Sequence, residues 1–179
     1  GYPGGPLIEK CATKGDQNKY KFPLPLIHEN NSDFSFSGLK SSVAQTVLNR
    51  KITEKFKCDV SASFQKTIVE ILLKKSQHAM KTFNNETKNK KTVNVVVAGG
   101  VAANQFIKGS LENLEKDINC KFHFPSLKLC TDNGAMIAYA GIERYERDLT
   151  NKLNFKPRPR WPLDKKAIFM KGKRINAQG

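Results

Sequence analysis

The order of elements in this sequence predicts an α/β fold. A short β-branched run, Val93 to Val97, ends in Ala98-Gly99-Gly100 and passes at once into a helical pattern. Cys120 to Phe124 then alternates like a second strand, and small and apolar residues at helical spacing follow. Strand–helix–strand–helix order places ligand sites beyond the carboxyl ends of the strands.

Each element has its own justification. Residues 1–36 are rich in turn formers (Pro3, Gly4, Gly5, Pro6, Gly15, Pro23, Pro25, then Asn30-Asn31-Ser32-Asp33). Within them Leu7 to Thr13 is the one short helix expected, entered through Pro6, since proline suits a first helical position. From Ser37, Leu39, Val43, Val47 and Leu48 repeat near 3.6 residues. A longer helix is expected after Asp59 as N-cap, with Val60, Phe64, Ile68, Ile71, Leu72 and Met80 on its apolar face. The polar stretch Phe83 to Lys91 reads as a loop, Ala102 to Leu114 as a helix, and Thr131 or Asp132 as the cap of a further helix through Ile142. After Asp148 the chain becomes basic and proline-rich and is expected to be extended. The domain reading is an entry segment (1–36), an α/β nucleotide-binding lobe (37–150) and a C-terminal strap (151–179).

Composition narrows the function. The 179 residues are 39% hydrophobic, enough for a packed core, and carry 31 Lys+Arg against 16 Asp+Glu, a formal net charge of +15. That excess suits a polyanion partner such as nucleic acid or a nucleotide; free use of Lys on solvated faces is the plainer alternative. Apolar runs such as Val95 to Ala98 are far shorter than the ~20 residues of a membrane helix. Four cysteines (Cys11, Cys58, Cys120, Cys130) show no C-x-x-C spacing, so buried thiols in a reduced chain are expected rather than a disulfide scaffold or zinc ribbon.

Three constellations carry possible chemistry. In VVVAGGVAAN the glycines let backbone approach a ligand, and the helix start offers unpaired N–H groups. Asn104, placed one turn into that helix, is a two-way hydrogen bonder for sugar or base. A tight turn with an idle Asn is the alternative. In CTDNGAMIAYAG, Asp132 is either a plain N-cap or a metal ligand beside a cleft. In GYPGGP, a turn exposes backbone N–H groups and Glu9 follows one helical turn on, placed to accept from ribose hydroxyls; a surface turn with a solvated Glu fits as well. His28, His78 and His123 have no i, i+4 pairing and cannot form a metal-binding helix, and His123 is expected to be a satisfied structural residue among phenylalanines. Cys120, His123 and Cys130 lack a fourth ligand for zinc.

Taken together, GYPGGP, FSFSGLK, VVVAGGVAAN, FPSLKLCTDNGAMIAYAG and PRPRWPLD occur here in the order in which they occur in another group of proteins. The sequence resembles the C-terminal half of the bacterial tRNA N6-adenosine threonylcarbamoyltransferase family, with weakest support in Lys51 to Lys91. The resemblance implies the second lobe of an actin-like ATPase (ribonuclease H-like) fold without its first lobe. It implies transfer of a threonylcarbamoyl group from threonylcarbamoyl-adenylate to N6 of the adenosine next to the anticodon of tRNA, in the cytoplasm and with accessory proteins of the same modification. By the same resemblance Gly5, Glu9 and Asn104 are substrate-binding and Asp132 is a metal ligand. The divalent metal, Fe(II) in preference to Zn(II), takes two further ligands from an H-x-x-x-H motif that this sequence does not contain. No general base is evident. The expectation is therefore a chain inactive alone; the alternatives are a catalytically dead interaction or tRNA-binding remnant, and an actin-like kinase lobe.

Overall fold

A computed structural model describes residues 3–88 and 91–156. Five α-helices and two strands follow one another in these residues: α1 (Gly4–Ala12), α2 (Leu39–Val47), α3 (Glu54–Thr87), β1 (Val93–Val96), α4 (Gln105–Leu114), β2 (Cys120–His123) and α5 (Gly134–Tyr145). Short 3-10 turns occupy Gly100–Ala103 and Leu127–Leu129. The strands are parallel, with Val93 opposite Cys120 and Val96 opposite His123. The α/β class is thus observed, with α4 as the connection that parallel strands require.

By its contacts the chain divides into two units, Gly1–Asn133 and Gly134–Gly179. The second contributes α5, with apolar Met136, Ile137, Ile142 and Tyr145 among its exposed residues. In the first, one apolar cluster joins α3, both strands and α4 through Val69, Val93, Ile107, Leu111, Leu114, Cys120 and Phe122. A second packs Phe22 and Leu39 on Val60, with Tyr20, Phe56 and Phe64 around it.

The long helix departs most from expectation. It begins at Glu54, where the Thr53 hydroxyl accepts the Phe56 N–H at 3.1 Å, so Thr53 and not Asp59 is its cap. It also continues to Thr87 through the polar stretch expected to be a loop, because no Gly or Pro stands between 54 and 87 to stop it; it ends where Lys88 turns left-handed (φ 51°). Asp59 lies one turn inside and is only 4% exposed. Its carboxylate accepts Lys55 Nζ at 2.6 Å and the Asp16 N–H at 2.8 Å. Those bonds, that from Lys55 foremost, hold its pKa below the usual value. Ser63 adds two more links to the same segment, donating to the Asp16 carbonyl and accepting the Tyr20 N–H. Between them Gly15 lies directly on the Cys58 carbonyl, where no Cβ fits.

Other expectations are corrected nearby. The first helix starts at Gly4, with Pro6 in its first turn where a missing N–H costs nothing. Cys11 and Cys58 form a disulfide, their Cα atoms 4.7 Å apart, whereas Cys120 and Cys130 are the buried free thiols foreseen for all four. The pairing follows from α1 packing on α3 across 47 residues, which spacing along the chain does not reveal. Burial pushes the Cys120 thiol up, with Glu115 adding to it. His123 is the satisfied strand residue expected, its Nε2 2.8 Å from Asn94 Oδ1, although it is exposed. The proline-rich strap, expected to be extended, falls largely outside the described residues.

Candidate functional site

The site grows out of the turn that follows β1. Gly99 has φ 95°, a conformation that only glycine adopts without strain, and it turns the chain into the 3-10 segment. Gly100 lies against the Cys130 carbonyl, 3.9 Å from where a Cβ would sit, so this bend neighbours the segment that leads to Asp132. The 3-10 segment displaces the expected start of α4, so Asn104 is the cap of that helix and not a residue one turn inside it. Its Oδ1 accepts the Ile107 N–H at 2.9 Å, and its Nδ2 donates to Gln65 Oε1 at 2.8 Å.

Glu9 reaches the same place from the other end of the unit. Its Oε1 accepts the Gln105 N–H at 2.7 Å, across 96 residues of sequence. A carboxylate at a helix N-terminus is favoured by the partial positive charge there. Gly5 precedes Glu9 by one helical turn, on the same face of α1, and its Cα meets nothing in the space around it. Glu9, Gln65 and Gln105 line a hollow of about 590 Å³, walled also by Gly15, Asn18 and Phe106. Glu9 and Asn104, assigned to one ligand by sequence, are thus brought to one helix start.

Gln65 and Gln105 were missed by sequence reasoning. The available signal was the run Asp59, Ser61, Ser63, Gln65 and Thr67, polar residues buried along α3 that each need a partner. Each end of an Asn or Gln amide has two hydrogen-bonding positions, and the bonds of Asn104 to Ile107 and Gln65 use one at each end. The cluster therefore keeps donor and acceptor capacity beside the hollow.

Asp132 is different. It is exposed, and α5 begins at Gly134, so Asn133 and not Asp132 or Thr131 directly precedes the helix. Among the described residues the one group of three potential metal ligands is Cys11, Glu54 and Cys58, which does not include Asp132 and has both sulfurs joined. The ligands present around Asp132 do not fit a metal by themselves. Also among the described residues, no helix is long and apolar enough to cross a membrane.

A parallel strand pair, a glycine bend and a polar cluster at a helix start define an α/β protein with a polar hollow beside that helix start. Residues 1–139 match the family of tRNA N6-adenosine threonylcarbamoyltransferases. The chain is 49% identical over 164 residues to the tRNA N6-adenosine threonylcarbamoyltransferase of Rickettsia massiliae (strain Mtu5), covering 91% of this chain and 48% of that protein. It is 48% identical over 174 residues to that of Pelagibacter ubique (strain HTCC1062), covering 96% and 47%. With the Orientia tsutsugamushi (strain Boryong) protein of the same name it shares 45% over 169 residues, 92% and 49%. The chain belongs to this family, and its actin-like assignment follows from that membership. It spans about half the length of the curated relatives it matches.

Proposed function

We propose that this chain supplies the adenylate-holding half of a tRNA-modifying acyltransferase, which moves a threonylcarbamoyl group from threonylcarbamoyl-adenylate to N6 of the adenosine beside the anticodon. The observation that carries the reading is the convergence of Glu9 and Asn104 on the first turn of α4, beside the hollow lined by Gln65. Glu9 accepts from the ribose hydroxyls, Gly5 leaves α1 open for close approach, and Asn104 with Gln65 orients the adenosine. The acyl donor is a mixed anhydride and already activated, so these residues act by orientation and by excluding alternative poses. No residue of the chain is assigned as a general base.

Family membership favours this reading over the actin-like kinase lobe. It also implies a divalent metal, Fe(II) in preference to Zn(II), with Asp132 as one ligand. Asp132 alone does not hold such an ion, so no step is assigned to it. Turnover requires a polypeptide bearing the two histidines, and accessory proteins of the modification act on that assembly, in the cytoplasm. The second reading, a catalytically dead module that binds tRNA, is favoured by the lack of a three-ligand group at Asp132 among the described residues.

Two measurements separate the readings. An unreactive threonylcarbamoyl-adenylate analogue binds the chain, and Glu9→Gln or Asn104→Ala weakens it by about ten-fold. Mixing with an H-x-x-x-H polypeptide restores transfer to tRNA, whereas the chain alone with added metal shows none. Turnover by the chain alone overturns the requirement for a second polypeptide; analogue binding that ignores both substitutions overturns the site.

A further inference from the structure

The second half of α3 carries a feature that the proposed site does not use. Lys74, Gln77, His78 and Lys81 stand at i, i+3, i+4 and i+7, one stripe of the helix, and face the loop 27–31 across a hollow of about 340 Å³. Lys74 and Lys81 are exposed at its rim. Lys75 closes it from beneath and is only 2% exposed. Its ammonium donates to the Glu29 carbonyl at 3.1 Å, and to the Asn31 carbonyl and Asn31 Oδ1 at 3.0 Å each. All three donors are used, yet every acceptor is neutral. A buried ammonium without a counter-charge is costly, and an anion nearby relieves that cost.

The lining holds three ammonium groups, from Lys74, Lys75 and Lys81, against a single carboxylate, Glu29, which itself accepts from Asn31 Nδ2 at 3.1 Å. His78 is fixed at both nitrogens, Nδ1 3.0 Å from Ser32 Oγ and Nε2 2.9 Å from Asn30 Oδ1, so the wall is set before any ligand arrives. A pre-set hollow with an excess of two positive charges and several amide groups suits a tetrahedral, doubly accepting anion better than an apolar or cationic ligand.

We propose that this hollow is a phosphate site that takes a backbone phosphodiester of RNA. The proposal rests on the reading that the chain acts on tRNA, and it places one contact of that RNA on α3 away from the adenylate hollow. Lys74 and Lys81 supply mobile charge at the rim, and Lys75 supplies fixed charge from below.

The test is tRNA binding by the 179-residue chain across a salt series, comparing wild type, the double variant Lys74→Gln/Lys81→Gln, and Lys40→Gln, a lysine outside the lining. Lys75 stays intact, because its loss leaves three oxygens without a donor; far-UV circular dichroism checks that each variant folds. The expected result is affinity about ten-fold weaker for the double variant at low salt. Its plot of log affinity against log salt is shallower by about one to two, while Lys40→Gln changes little. Inorganic phosphate at matched ionic strength competes with tRNA on the wild type more than chloride does, and loses that advantage on the double variant. If the double variant keeps the affinity and slope of Lys40→Gln, the site is overturned while the tRNA reading stands. If inorganic phosphate perturbs the His78 resonances yet leaves tRNA binding untouched, the hollow takes free phosphate and the RNA assignment is overturned. If the wild type binds no tRNA, the site and the tRNA reading fall together.

Discussion

The start of α4 and the segment around Asp132 treat polar side chains in opposite ways. At the helix start, Glu9 holds the Gln105 N–H, Asn104 holds the Ile107 N–H, and Gln65 is tied to Asn104. Around Asp132 no group of three potential ligands gathers among the described residues. The first arrangement is complete within the chain and packed against a core; the second offers one exposed carboxylate. The polar cluster at the helix start therefore finds its partners within these residues, whereas a metal centre at Asp132 would need ligands from outside them.

That contrast can be broken most forcefully at its foundation. Gly15→Ala drives a methyl group into the Cys58 carbonyl and to 2.7 Å from the Asp59 nitrogen, both backbone atoms of a helix that cannot yield. Urea unfolding should show a loss of about 3 kcal/mol, at the upper end of overpacking costs. Asn104→Ala removes a cap and leaves Gln65 Oε1 without its donor, a cost of about 2 kcal/mol readable by the same method.

Next comes pH. Because Asp59 titrates below its ordinary value when folded, its contribution is full above about pH 4 and is lost as pH falls through the depressed value. Thermal melts from pH 6 to pH 2 should show this acid-side decline, and Asp59→Asn should flatten it. The smallest effect is expected at Asp132: Asp132→Ala changes stability by no more than about 0.5 kcal/mol and leaves metal uptake by the chain alone unaltered. A marked fall in bound metal would show that the segment is a built site after all, and would erase the contrast.

Much of the strand region was legible. Val93 to Val97 and Cys120 to Phe124 were each placed within one residue of the observed strands, because β-branching and alternation act locally. The glycine bend was legible for the same reason. The extent of α3 was not. Asp59 has the chemistry of a cap, and only its burial against Asp16 shows that the helix had already begun. Nor does periodicity reveal that Cys11 meets Cys58, or that Glu9 meets a backbone amide 96 residues on. In the site, the residue types were readable at Glu9 and Asn104 from motif and resemblance, whereas Gln65 lay in the stretch where the resemblance was weakest. Its partner exists only once α3 and α4 are packed.

The length of α3 has one more consequence. An unbroken helix advances about 1.5 Å per residue, so Gln65 and His78 are held about 20 Å apart along its axis. A continuous helix of this kind works as a ruler. It also turns about 220° between the two marks, so a mononucleotide at one falls short of the other and only a polymer that wraps round the helix reaches both; simultaneous occupancy would measure the size of what is bound.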